Sequence, residues 1–250
     1  MSEDFVQLDA LAMSAHPDDV ELSCSGTLIK LTERGYKTGV ITLTQGEMGT
    51  RGSVEIRRQE FAKAARTMGL AVQKALDIPD SFVRFTQENL LKVIRELRAY
   101  RPKVVFAPYW DVRHPDHGHS SHLIREASFL SGLKKIDTGQ SPFRPTKVIY
   151  FSESYEFKPS FIVDVSSVFE RKLEAIRAYK SQFFDPEAVN NHQDPTYISK
   201  PEFLSTIITR CQYWGQKIGV RYGECFLVRE FIEIHDPVQH FCGHSAAGLI

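Results

Sequence analysis

Two short segments of the chain share one form: Ala15-His16-Pro17-Asp18-Asp19 and Arg113-His114-Pro115-Asp116-His117. Imidazoles and carboxylates hold divalent transition metals and move protons near neutral pH. His16 and Asp19 stand three apart, so in a first helical turn they share a face and can grip one ion. A second imidazole, from His114 or His117, completes a His/Asp/His set with a position left for water, as in catalytic zinc sites. Two histidines and one carboxylate also suit non-haem iron. Asp18 points away from the ligand pair and is placed to act as general base toward metal-bound water. The member of the His114/His117 pair that is not a ligand, held by a carboxylate such as Asp116, is placed to steady an oxyanion as a cation or to protonate a leaving amine. Each segment alone also reads as a plain turn, with Asp18 or Asp19 capping a helix. Two matching segments in matching surroundings favour a site.

Those surroundings are strand ends. Apolar or β-branched runs predict strands over 5–15, 38–44, 75–78, 103–107, 147–151, 161–165 and 225–234. Amphipathic stretches predict helices over 19–34, 55–68, 87–100, 116–133, 167–179 and 202–218. This alternation predicts a single α/β domain over 1–250: a mostly parallel, Rossmann-like layered sheet flanked by helices. Both motifs then sit just past the C-terminal end of a strand and just before a helix. Ligands of open parallel sheets bind at that edge, where strand order reverses. If the two strands are neighbours, the two motifs face one another. The loop over 45–53 has three glycines but neither dinucleotide-binding nor P-loop spacing, so no phosphate cradle is expected.

Composition narrows the partners. The 250 residues carry 31 Lys+Arg against 31 Asp+Glu. A zero balance gives no chain-wide attraction to phosphate backbones or anionic lipid, so neither nucleic acid nor membrane is expected as a partner. Hydrophobic residues at 42% and charged residues at 25% fit a folded chain and not a disordered one. No stretch reaches the roughly 18 apolar residues of a spanning helix. The acidic start (Glu3, Asp4, Asp9) reads against a signal peptide. Four scattered cysteines read as reduced thiols, so a cytoplasmic location is expected, with Cys24 as packing. His119 and His122 fall inside a helix and read as surface or packing residues. His192, His235, His240 and His244 read as solvated loop and tail residues, in a tail loosely held after about residue 235.

At these motifs the chain resembles the LmbE/PIG-L family of metal-dependent sugar deacetylases. The family motif AHPDDxE corresponds to Ala15 to Glu21, and HPDH stands as His114 to His117. The phrases around Gly49 to Arg57, Ala107 to Arg113 and Tyr222-Gly223-Glu224 are similar to the bacillithiol-biosynthesis branch, which deacetylates N-acetylglucosaminyl malate. The resemblance implies that His16, Asp19 and His117 are zinc ligands, that Asp18 is the general base, and that His114, oriented by Asp116, stabilises charge. It implies substrate contacts for Arg57, Arg113 and Arg144, a small anionic N-acetyl sugar as substrate, and a homo-oligomer, trimeric or hexameric. Relatives carry a mobile tyrosine where this chain has Phe203, so Tyr197 is the substitute expected. An amidase acting on a thiol conjugate, or a deacetylase for another N-acetyl sugar, would use the same residues. A metal- or sugar-binding module without turnover is the non-enzymatic alternative.

Overall fold

The computed structural model describes residues 6–184 and 194–242. His192, His244 and the end of the tail lie outside the described residues. Seven strands form one sheet: β1 (Ala10–Ser14), β2 (Thr38–Thr42), β3 (Val72–Ala75), β4 (Val104–Pro108), β5 (Lys147–Phe151), β6 (Phe161–Asp164) and β7 (Gly223–Leu227). Their order is β3-β2-β1-β4-β5-β7-β6. The first five strands run parallel, and β7 is antiparallel to both β5 and β6. The expected fold class is therefore observed, a mostly parallel sheet with helices on its faces. The chain steps from β1 outward to β2 and β3, then returns to lay β4 on the other side of β1. The order reverses between β1 and β4, the two strands that lead into the motifs.

Side-chain alternation along β1 builds two cores. Ala10 and Ala12 face α2 (Ser25–Glu33), α3 (Val54–Met68) and α6 (Phe169–Arg177) through Leu28, Ile29, Phe61, Ala64 and Ile176. Leu11 and Met13 face α4 (Gln87–Tyr100) and α5 (Pro115–Leu130) through Val93, Ile94, Leu97, Leu123 and Ile124. All of these are buried, and each large aliphatic side chain contributes about 1.5–3 kcal/mol by leaving water. The helices start and stop on local signals. The Ser53 hydroxyl accepts the Ile56 N–H at α3, the Thr86 hydroxyl accepts the Asn89 N–H at α4, and Gly69 closes α3 with φ 73°.

Several element boundaries differ from the sequence reading: the first strand starts at Ala10 instead of 5 and the helix expected over 116–133 ends at Leu130, and four further differences are larger in consequence. The helix expected over 19–34 is two helices, α1 (Asp19–Ser23) and α2, broken at Cys24. A buried ion pair fills the break. Lys172 Nζ donates to the Glu21 and Leu22 carbonyls, while the Glu224 carboxylate accepts from the Gly26 and Thr27 N–H groups. The third strand lies over Val72–Ala75 instead of 75–78, because pairing with Gly39–Thr42 sets its register. It is half-exposed at the sheet edge and so lacks an apolar run. The last strand ends at Leu227 instead of 234, since β5 and β6 offer no partner beyond that point, and Phe231 stands fully exposed. The helix expected over 167–179 opens with a 3-10 turn, Ser166–Val168, before α6. Among the described residues no helix is long and apolar enough to cross a membrane.

The remaining helices are α7 (Phe203–Gln216) and α8 (Pro237–Cys242). Near the end of α7, a Cβ on Gly215 would stand 2.7 Å from both the Tyr222 nitrogen and the Val220 oxygen. Backbone cannot give way as a flexible side chain can. Gly215→Ala is expected to cost about 1–3 kcal/mol by overpacking. A thermal melt checks this, and an unchanged midpoint would show that α7 shifts freely.

Candidate metal centre and catalytic site

The His16 segment leaves β1 and the His114 segment leaves β4, and because these strands are neighbours the two meet at the C-terminal edge of the sheet. His16 Nδ1 lies 3.1 Å from His117 Nε2. Asp19 places Oδ2 3.6 Å from His16 Nδ1 and Oδ1 3.4 Å from His117 Nε2. With bonds of about 2.0–2.1 Å, donors around a tetrahedral zinc stand about 3.3 Å apart. The three separations lie near that spacing, with a different Asp19 oxygen facing each ring, so these side chains can surround one ion after a small turn of the carboxylate. Asp19 also accepts the His16 backbone N–H at 2.8 Å, which fixes its carboxylate against the turn.

The field at this edge favours a cation. Asp18, Asp19, Asp80, Asp116 and Glu153 converge on the two imidazoles. Burial pulls His16 down, but Asp116, Asp80 and Asp19 outweigh it and hold the ring well above its ordinary value. His117 is likewise pulled down by burial yet driven up to about 9 by Asp19 and Glu153. Such carboxylates stabilise positive charge whether a proton or a metal ion brings it.

Asp18 is buried and stands outside the ligand set. Its carboxylate pairs with Arg57 Nη1 at 3.3 Å. Burial raises its pKa to about 7, with Arg57 opposing. Its backbone is in the left-handed region at φ 105°, a conformation that costs a non-glycine residue about 1–3 kcal/mol. Ser81, at φ 67°, is strained in the same way and donates its N–H to Asp116 Oδ2 at 2.7 Å. Of the three strained non-glycine residues among those described, these two lie at this edge.

The expected partners of His114 differ from those found. Its ring stacks on His117 with centroids 4.9 Å apart, which brings it to the site. However, Nδ1 accepts the Asp116 backbone N–H at 3.2 Å, and the Asp116 carboxylate turns instead to Ser81 and His16. Burial and the neighbouring His117 and His16 hold the ring below its ordinary pKa. With Nδ1 accepting that N–H, the ring's other nitrogen, Nε2, is the one placed to donate, and Asp116 holds the ring through its backbone instead of its carboxylate.

The arginines separate. Arg57 is buried against Asp18 and the Pro17 carbonyl, so it holds the base instead of facing outward. Arg113 is exposed beside His114, its guanidinium 5.4 Å above the ring of Tyr197, which itself packs edge-on against Phe203. Arg144 does not reach the site. Its Nε bonds the Phe129 carbonyl near the far end of α5, about 21 Å along the helix from Pro115. The reason is topological: Arg144 precedes β5 and so lies at the opposite edge of the sheet.

Two residues of the site carry no motif. Asp80 Oδ1 lies 3.0 Å from His16 Nε2, and the Glu153 carboxylate contacts His117 Nδ1. Asp80 follows β3 and Glu153 follows β5. The rule that led to the motifs, acidic or imidazole side chains just past parallel strands, also points to both.

Residues 11–128 match the family described as GlcNAc-PI de-N-acetylase (PIG-L). A diacetylchitobiose deacetylase from Thermococcus kodakarensis is 34% identical over 229 residues, covering 86% of this chain and 80% of that protein. The chain belongs to this family. A 4-oxalmesaconate hydratase from Pseudomonas putida is 26% identical over 70% of this chain and 74% of its own length. A probable N-acetyl-alpha-D-glucosaminyl L-malate deacetylase 2 from Bacillus anthracis is 30% identical over 69% of this chain and 80% of its own. Among solved structures, a conserved protein of Thermus thermophilus superposes with TM-score 0.83 at 36% identity, covering 92% of this chain and 98% of that one. An N,N'-diacetylchitobiose deacetylase from Pyrococcus horikoshii superposes with TM-score 0.76 at 30% identity, covering 88% of this chain and 82% of that one.

Proposed function

We propose that the chain hydrolyses the acetamide of an N-acetylglucosamine conjugate, with a divalent metal held by His16, Asp19 and His117. Zinc suits the donor set, and iron is the alternative it allows. One observation carries the reading: a three-donor set stands beside a separate buried carboxylate, Asp18, that is held by Arg57. A binding module has no use for that spare base. The metal supplies a water of lowered pKa and a Lewis-acid contact to the carbonyl oxygen. Asp18 takes the proton from the attacking water as oxygen bonds to the acetamide carbon. His114 Nε2–H donates to the oxygen on which charge develops. Asp18 then returns the proton to the departing nitrogen, the C–N bond breaks, and acetate leaves.

Arginine placement bears on the substrate. A malate conjugate presents two carboxylates and calls for guanidinium partners. Of the three arginines expected to contact substrate, Arg57 is engaged with Asp18 and Arg144 lies at the other edge, which leaves Arg113 exposed beside His114. This favours a neutral N-acetyl sugar such as diacetylchitobiose over N-acetylglucosaminyl malate. Acetate release by metal-loaded protein tests both. Release from diacetylchitobiose with the higher kcat/KM is expected. Release from neither, with metal bound, removes both substrates and leaves another N-acetyl sugar, or the hydratase chemistry of the Pseudomonas relative, to be tried.

The pH profile follows from Asp18. A base works when deprotonated, so kcat/KM should climb about tenfold per pH unit below its pKa and flatten above it. Burial sets that value at about 7 without a cation, and a bound dication moves it down. The acid limb is therefore expected to bend at or below pH 7. A profile still climbing well above pH 7 would assign the base to another group.

A further inference from the structure

Glu153 lies two residues past β5, outside both motifs, and its side chain is only 9% exposed. Its Oε2 contacts Nδ1 of His117, and neither carboxylate oxygen has any other hydrogen-bond partner among the described residues. The backbone on which it sits is pinned. Arg210 of α7 donates through Nη1 to the Glu153 carbonyl and through Nη2 to the Leu22 carbonyl of α1, the helix that begins at Asp19. A buried carboxylate with no lysine or arginine on it is costly unless another positive group faces it. The group that faces Glu153 is His117.

On the ring's other side, Nε2 looks toward His16 Nδ1 and Asp19 Oδ1. His117 can offer a lone pair there only if its proton sits on Nδ1. An acceptor at Nδ1 decides that tautomer, and a charged acceptor also makes Nε2 a stronger donor. We propose that Glu153 is a positioning residue of the metal centre, taking the Nδ1–H of His117 so that Nε2 is turned toward the ion. This rests on the reading of His16, Asp19 and His117 as ligands.

The test is zinc affinity by chelator competition on the full chain, with melting of the metal-free protein as the second readout. Glu153→Leu is expected to weaken zinc about 10–100-fold. Glu153→Gln, whose amide oxygen still accepts from Nδ1, is expected to lose several-fold. Metal-free Glu153→Leu is expected to melt somewhat lower, because the buried pairing with protonated His117 is lost, so zinc affinity is the deciding readout. A purely structural residue would lower that melting point and leave affinity alone. Affinities of both variants indistinguishable from wild type overturn the proposal, and so does a Glu153→Gln as damaging as His117→Ala, which would make Glu153 a ligand. If Glu153→Leu does not fold, Glu153→Gln decides by the same criteria. Wild-type affinity that His117→Ala leaves unchanged is a different failure, because it removes the ligand reading itself.

Discussion

Asp18→Asn is expected to lower the rate of acetate release by about 10²- to 10⁴-fold while metal content stays at the wild-type level. The substitution keeps the shape of the side chain and its contact with Arg57 while removing the basic oxygen. Asp18 lies outside the donor set formed by His16, Asp19 and His117, so the ion should be retained. The backbone also favours the exchange, since asparagine tolerates the left-handed conformation that residue 18 adopts at φ 105°. Metal analysis and turnover on one sample separate the outcomes. Full activity with metal bound would move the proton transfer elsewhere, with His114 next to be tested. Loss of metal together with activity would place Asp18 among the ligands.

The largest stability effect is expected far from the chemistry, at Lys172. Its side chain is 0% exposed and its ion-pair partner Glu224 is 1% exposed, with Nζ and Oε1 2.8 Å apart. Together they bridge two helix ends. Lys172 satisfies the last carbonyls of α1, and Glu224 satisfies the first N–H groups of α2. A five-residue helix such as α1 has no stability of its own, so this pair holds the segment that begins with Asp19. Lys172→Met leaves a buried carboxylate without a countercharge, which costs about 3–5 kcal/mol. For a chain of this size that corresponds to a melting point lower by about 6–20 °C. Lys172→Met combined with Glu224→Gln should recover part of the loss, because the orphaned charge is gone. A single variant that melts with the wild type would show that water reaches Glu224.

The break between α1 and α2 marks the limit of sequence periodicity. Leu22, Gly26 and Ile29 keep a helical face across it, so the pattern reads as one helix. The interruption comes from Lys172 and Glu224, about 150 and 200 residues away in sequence, and no local window contains them. Arg144 fails for a related reason. Its type suits a carboxylate, but its edge of the sheet is set by which side of β5 it precedes. Asp116 fails on direction: it lies at the right edge, yet its carboxylate turns to Ser81 and His16 and only its N–H meets His114.

Local pattern in the chain is enough to specify the chemistry on offer and the edge of the sheet that offers it. Alternating strands and helices specify a layered parallel sheet, and the spacing of His16 to Asp19 brings two donors onto one turn. Both follow from short-range periodicity, which a linear pattern records. The tertiary structure decided which of these groups meet. The pairing of β1 with β4 brings His117 to His16, and the ends of β3 and β5 deliver Asp80 and Glu153 behind the two rings. It also decided which arginine is spent on Asp18 and which is left at the mouth. Contacts of that kind depend on strand order and on where each side chain finds room in a buried layer, and neither is written in any local stretch of the chain.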